Sequence, residues 1–151
     1  METLNSIAMK KIAIGADHAG FPYKQPIKEW LLANGYEPTD YGTDSPDSVD
    51  YPDFAHPVAS AVENGEFERG ILLCGGGQGV CITANKHAGI RAALVWQKEI
   101  AALSRQHNDA NIICLPVRFI ELEEALTSVQ LFLSTDFEAG RHQQRVSKIP
   151  C

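Results

Sequence analysis

Short apolar runs alternate along the chain with segments whose hydrophobic residues recur every three or four positions. The apolar runs predict β-strands, and the periodic segments between them predict amphipathic helices. The predicted strands cover about residues 11–15, 71–73, 91–95 and 111–115, and residues 37–41 are predicted as a further strand of weaker propensity. The predicted helices cover about residues 21–34, 53–64, 78–86, 98–106 and 121–133, and a short final helix is predicted in the tail 140–149.

Regular alternation of strand and helix predicts an α/β fold with a doubly wound, five-stranded, mostly parallel sheet and helices on both faces. This is a Rossmann-like three-layer sandwich. With 151 residues the chain is long enough for one domain. We place that domain at residues 9–151, from the start Met9-Lys10-Lys11 onwards. Residues 1–8 are interpreted as an N-terminal extension, expected to be disordered and to take no part in the chemistry.

Composition and charge exclude several classes of function. The net charge of −6 argues against nucleic-acid binding by the general surface. No apolar run is long enough to cross a membrane, and the start lacks a secretory signal. We therefore expect neither a membrane-spanning segment nor secretion of the protein. The four cysteines show neither a disulfide framework nor metal-ligand spacing, which favours reduced thiols in a cytoplasmic protein and predicts no metal site.

The most informative segment is the glycine-rich loop that follows the third predicted strand. Cys74 ends this strand and is followed by Gly75, Gly76, Gly77, Gln78 and Gly79. Glycines allow backbone N–H groups to converge on an anion because no Cβ blocks the approach. A thiol beside such amides is suited to take a proton from carbon while the amides hold the resulting oxyanion. The alternative is a tight turn from strand to helix with a structural cysteine.

Three further segments carry polar groups near predicted strand ends. Asp17 and His18 follow the first strand, His107 and Asn108 precede the fifth, and the tail carries two arginines, Arg141 and Arg145. We expect all of them to meet the glycine loop at the carboxyl edge of the sheet, where such folds bind ligands. The two arginines are four positions apart on one helix face, which suits a phosphate or carboxylate. Local roles remain open: a helix cap for His18, a helix end for His107 and a solvated charged end for the arginines.

An ordered set of motifs resembles type B ribose-5-phosphate isomerase, a family that also includes the galactose-6-phosphate isomerase subunits. The resemblance runs from Met9 to about Ile149 without a large gap. The motifs are Asp17-His18-Ala-Gly, Asp50-Tyr51-Pro52, Cys74-Gly-x-Gly-x-Gly, Ala84-Asn85-Lys86, Gly89-Ile-Arg91, Ser104-Arg105-Gln106-His107-Asn108-Asp109 and Gly140-Arg141-His-Gln-Gln-Arg145-Val146.

The resemblance implies an aldose–ketose isomerase that interconverts ribose 5-phosphate and ribulose 5-phosphate through an enediolate, without metal or cofactor. It implies that Cys74 is the base, that the amides of Gly75 to Gly79 hold the enediolate oxygen, and that His107 assists ring opening. The implied substrate contacts are Asn108 and Asp17 on sugar oxygens, Tyr51 on the pocket wall, and His18, Arg118, Arg141 and Arg145 on the phosphate. The family forms homodimers or dimers of dimers whose sites draw on both chains.

One position departs from the family pattern. The family usually has Ser or Thr two residues after the catalytic cysteine, where this chain has Gly76. Either water replaces the hydroxyl, or the substrate preference differs, or the activity is low. The alternatives to ribose 5-phosphate are therefore galactose 6-phosphate, allose 6-phosphate or a tetrose phosphate, and a non-catalytic sugar-phosphate-binding module also stays open.

Overall fold

The computed structural model describes residues 10–151, so the extension predicted over residues 1–8 lies outside the described part of the chain. The strands are β1 (Lys10–Ala16), β2 (Tyr36–Asp40), β3 (Arg69–Cys74), β4 (Ala92–Leu94) and β5 (Ile112–Pro116). The helices are α1 (Phe21–Ala33), α2 (Pro52–Glu63), α3 (Gln78–Ala84), α4 (Lys98–Asn108), α5 (Leu122–Ser134) and α6 (Arg141–Ser147).

The five strands form one sheet in the order β2-β1-β3-β5-β4, and every neighbouring pair is parallel. Ile71 at the centre of β3 pairs with Ile14 of β1 on one side and Ile113 of β5 on the other. Parallel neighbours require crossover connections, and helices α1 to α4 supply them. The predicted α/β fold is confirmed, and the sheet is parallel throughout.

Each face of the sheet is covered by its own hydrophobic layer. Ile12 and Ile14 of β1 pack on one face with α1 and α5, where Leu31 and Phe132 are fully buried. Ala13 between them points to the other face and packs with side chains of α2 and α3. Side chains alternate across a strand, so burial on both faces requires the continuous apolar runs seen in the sequence.

Helix boundaries differ from the sequence prediction by a few residues. Helix α1 begins at Phe21 although Pro26 lies inside it, and helix α2 contains Pro57 in the same way. In both helices the residue after the proline is buried: Ile27 in α1 and Val58 in α2. Tertiary packing of these faces therefore outweighs the lost backbone hydrogen bonds.

Within residues 10–151, none of the helices combines the length and the apolar content that a membrane crossing needs.

Candidate active site

The residues predicted from the sequence fall into two groups. The first, here called the carboxyl-edge group, lies where β1, β3 and β5 end, and it consists of Asp17, His18, Tyr51, Cys74, the loop 75–79 and Arg118. Backbone hydrogen bonds join its segments. The N–H of Asp17 donates to the Leu73 carbonyl at 3.1 Å, and the N–H of Arg118 donates to the Gly75 carbonyl at 3.0 Å.

Asp17 and His18 are held by hydrogen bonds that leave part of each side chain available. Oδ1 of the buried Asp17 accepts from the N–H groups of Ala19 and Gly20, both at 2.9 Å, which turns the chain into α1. Nδ1 of His18 accepts from the N–H of Val49 at 3.1 Å. Because Nδ1 is the acceptor, the proton of the neutral ring lies on Nε2, which is then a donor. The hydrogen bond of His18 goes to Val49, and α1 has no side-chain cap hydrogen bond, so the helix-cap alternative for His18 is wrong.

Cys74 is largely buried, with 5% of its surface exposed, and it packs in the layer that contains Ala13, Leu72 and Val80. The chain then turns sharply at Gly77, whose φ is +71°, immediately before α3 begins. A Cβ on Gly77 would lie 2.6 Å from Cδ1 of Leu94, so only glycine fits this turn without distortion. A Cβ on Gly76 would meet no atom within 4 Å. Gly77 is therefore required by the turn, whereas Gly76 is not.

The backbone amides of this loop are available to a ligand. Within residues 10–151, the N–H groups of Gly76, Gly77, Gln78 and Gly79 donate to no carbonyl or side chain. Two side chains flank the loop: Arg118 lies against Gly75, and the ring of Tyr51 lies against Gly79. A set of unpaired amides enclosed by a guanidinium and an aromatic ring is suited to bind an anion.

A buried ion pair supports the segment that connects β2 to this group. The side chain of Lys24 is 4% exposed, and its ammonium donates to Oδ1 of Asp40 at 2.7 Å and to the carbonyl of Thr43. Lys28 donates to Oδ2 of the same carboxylate at 2.9 Å. Burial alone would raise the pKa of Asp40, but these hydrogen bonds outweigh it and hold the pKa below its usual value. The sequence alone did not identify this pair.

The second group, here called the amino-edge group, consists of His107, Asn108, Arg141, His142 and Arg145. Four of these residues and two apolar residues of the tail line a cavity of about 340 Å³. The lining residues are His107, Asn108, His142, Arg145, Val146 and Ile149. Arg141 is not part of this lining, although it lies on the same helix as Arg145. The prediction did not include His142, whose ring stacks on that of His107 with centroids 4.3 Å apart.

Charged neighbours fix the chain where α4 ends beside His107. Asp109 adopts the left-handed conformation with φ 49°, and its carboxylate accepts from Arg105 at 2.8 Å and from Arg91 at 3.3 Å. Arg91 also donates to the carbonyl of Asn108 at 3.1 Å. Burial, the adjacent His107 and the charge of Arg141 together lower the pKa of His142. The neutral form of this imidazole is thereby favoured.

The two groups lie at opposite edges of the sheet, so the prediction that they meet at the carboxyl edge of one chain was wrong. Helix α4 runs antiparallel to the strands, and its last residues precede the start of β5. Gly70 pairs with Ile112 and Cys74 with Pro116, which places Cys74 four residues farther along the strands. At about 3.3 Å per residue, the edges are roughly 13 Å apart along the strand direction. A single chain therefore does not bring Cys74 and His107 together.

Cys81 and Cys114 lie apart from this chemistry. Both are buried on the same face of the sheet as Cys74. A hydrogen bond with Cys114 lowers the pKa of Cys81, while burial and the same bond raise the pKa of Cys114 well above its usual value. Their packing in this layer indicates a structural role.

The fold and the carboxyl-edge group together define the class of this protein. It is a doubly wound α/β protein with a loop of unpaired backbone amides and a thiol at the carboxyl edge of its sheet. The family model described as Ribose/Galactose Isomerase matches residues 12–149, and the chain belongs to this family.

Individual relatives agree with this assignment over nearly their whole length. Ribose-5-phosphate isomerase B of Escherichia coli is 49% identical over 141 residues, which are 93% of this chain and 95% of that protein. The structure of Clostridium thermocellum ribose-5-phosphate isomerase B has a TM-score of 0.91 at 50% identity and covers 92% of this chain and 94% of that one. The structure of the Mycoplasma genitalium enzyme with bound ribulose-5-phosphate has a TM-score of 0.90 at 44% identity and covers 95% of both chains.

Proposed function

We propose that this protein is an aldose–ketose isomerase that interconverts ribose 5-phosphate and ribulose 5-phosphate. The observation that carries the proposal is the thiol of Cys74 beside the unpaired amides of the loop 75–79, in a chain of the ribose/galactose isomerase family. Moving a proton between adjacent carbons of a sugar needs a base and a means to stabilise the negative oxygen of the enediolate. Removing one such oxyanion donor costs other enzymes about 3–4 kcal/mol, so several preorganised amides are a large contribution.

In this proposal the carboxyl-edge group performs the proton transfer. The thiolate of Cys74 takes the proton from C2 of the open-chain aldose and returns it to C1, and the amides of Gly75 to Gly79 hold the enediolate oxygen. Asp17 contacts sugar oxygens through Oδ2, because Oδ1 accepts from the backbone before α1. Tyr51 forms the wall beside the loop. None of these steps requires a cofactor.

The amino-edge group supplies ring opening and part of the phosphate site. His107 protonates the ring oxygen as the sugar opens, and Asn108 contacts sugar hydroxyls. The phosphate is bound by Arg141 and Arg145 together with His18 and Arg118 of the carboxyl-edge group. A phosphate held far from the reacting carbons provides binding energy that positions the substrate.

We propose further that the site is shared between chains of a homo-oligomer, with the carboxyl-edge group from one chain and the amino-edge group from its partner. The distance between the two edges supports this arrangement. So do large exposed apolar side chains that follow β4 and β5, namely Trp96 (50% exposed) and Phe119 (78% exposed). A cytoplasmic location is part of the proposal, and the four free thiols support it.

A different phosphorylated aldose is the second candidate substrate. The observation that favours it is Gly76, which departs from the family pattern. The space beside Gly76 is open, so the hydroxyl that the family usually places there is replaced by room for water or substrate. Galactose 6-phosphate, allose 6-phosphate and a tetrose phosphate are the candidates. A non-catalytic sugar-phosphate-binding module would use the arginines without needing Cys74.

Proton exchange in D₂O tests the proposal directly. We expect the wild-type protein to introduce deuterium at C2 of ribose 5-phosphate, and Cys74→Ala to lose this exchange while still binding the sugar phosphate. Cys114→Ala is the matched control, because it removes a buried thiol from the same layer and leaves the loop intact. If deuterium exchange occurs only with another aldose phosphate, that sugar is the substrate instead of ribose 5-phosphate. Equal exchange by wild type and Cys74→Ala would refute the role of the thiol.

A further inference from the structure

Two histidines and a carboxylate of the amino-edge region lie close together. The metal-ligating atoms of His107, Glu138 and His142 all lie within 4.8 Å of one another. We propose that these three side chains bind a divalent transition-metal ion, with Zn²⁺ as the best match, and that the bound ion inhibits the enzyme. Within the described residues this is the single cluster of three such ligands.

The ligand set determines which ions fit. Two imidazoles and one carboxylate are the donor set of zinc sites that keep one position open for water. Imidazole suits Zn²⁺, Cu²⁺ and Ni²⁺, whereas Mg²⁺ prefers oxygen ligands only. In a tetrahedral site with bonds of about 2.0–2.1 Å, neighbouring ligand atoms are roughly 3.4 Å apart. Nε2 of His142 and Oε1 of Glu138 are 3.7 Å apart, so this pair is already close to the required spacing.

The backbone holds the three ligands near this arrangement. Glu138 lies four residues before His142, and its N–H donates to the carbonyl of Gln106 at 3.0 Å, one residue before His107. The two imidazole rings are stacked with 14° between their planes, so one ring rotates when both nitrogens bind the same ion. The cavity that both histidines line leaves space for the open coordination position. The site is therefore assembled by contacts that exist without an ion.

Nearby charges limit the affinity and link it to substrate binding. Arg145 lines the same cavity, and Arg141 adjoins His142, so their positive charges oppose a cation. We expect a reversible site rather than a permanent one. The inhibition by the bound ion rests on the proposed function of His107, because an imidazole bound to a metal ion is no longer free to protonate the ring oxygen of the sugar.

Titration calorimetry with ZnCl₂ on the full-length, chelator-treated protein tests the site without any activity measurement. We expect one Zn²⁺ per chain for wild type, no binding of Mg²⁺, and binding at least about tenfold weaker in Glu138→Gln. Glu123→Gln is the matched control, since it makes the same charge change on exposed surface outside the cluster. Substituting Co²⁺ for Zn²⁺ should give visible bands of a nitrogen and oxygen site without a thiolate-to-cobalt band.

Inhibition is measured separately as isomerisation of ribose 5-phosphate with and without Zn²⁺. We expect Zn²⁺ to inhibit wild type and Glu123→Gln at concentrations that leave Glu138→Gln active, with equal activity of all three without metal. Absence of Zn²⁺ binding, equal binding by Glu138→Gln, a thiolate band, or binding without inhibition would each overturn the inference. Failure of the isomerase proposal is distinct, because it appears as absence of turnover before any metal is added.

Discussion

Mixing two inactive variants tests whether one site is built from two chains. Cys74→Ala removes the proposed base from the carboxyl-edge group, and His107→Ala removes the proposed acid from the amino-edge group. Each variant alone is expected to be inactive on ribose 5-phosphate. If each site takes one group from each chain, a mixed dimer contains one site with both residues intact and one site with neither.

The magnitude follows from the geometry of the sheet and from random pairing. The edges that carry the two residues are roughly 13 Å apart along the strands, too far for both to reach adjacent atoms of one sugar. Equal mixing of closed dimers makes half of them mixed, and each mixed dimer has one working site of two. Activity should therefore return to about one quarter of the wild-type value.

The assay unfolds the two variants together in urea, refolds them and measures ribulose 5-phosphate formation. The matched control mixes Cys74→Ala with the double variant that lacks both groups, which yields no intact site in any pairing. Recovery only in the first mixture supports the shared site. If the first mixture stays as inactive as the control although size analysis shows mixed dimers, the reasoning from sheet geometry is refuted.

Two further predictions concern the loop and the buried ion pair. Gly77→Ala should lower the free energy of unfolding by about 2–4 kcal/mol, because alanine disfavours a φ of +71° and its Cβ would meet Leu94. Gly76→Ala should leave the free energy of unfolding nearly unchanged, and chemical unfolding measures both variants. Asp40→Asn should destabilise the protein at neutral pH by up to about 3 kcal/mol, since it leaves the charge of Lys24 buried without its partner.

The pH dependence of the Asp40 effect has a definite sign. The folded-state pKa of Asp40 lies below its unfolded value, so the stabilisation is complete above the unfolded pKa, near 4. It is lost as the pH falls through the lower, folded-state pKa. The stability difference between wild type and Asp40→Asn should therefore shrink below about pH 4. A stability difference between wild type and Asp40→Asn that stays constant down to about pH 2 would contradict this reasoning. Equal stability of Gly77→Ala and Gly76→Ala would contradict the loop prediction.

The sequence predicted β1, β3 and β5 well because most of their residues are buried, and burial on both faces demands a continuous apolar run. It placed Asp17 and Cys74 at one edge of the sheet for a related reason: Asp17 directly follows β1, Cys74 ends β3, and the pattern already implied that these strands are parallel. It was less accurate at helix ends, since α3 ends at Ala84 and α4 continues to Asn108. Lys24 and Asp40 were missed because sixteen positions separate them and only the fold pairs them.

The sequence by itself therefore determined the architecture and the position of the glycine loop after Cys74, since periodicity and the glycines beside Cys74 are local properties of the chain. Only the tertiary structure decided where His107 lies, because the return direction of α4 carries its end to the edge opposite Cys74. The same long-range folding places Glu138 and His142 beside His107. Contacts of this kind depend on how elements pack in space, and spacing along the chain does not encode them.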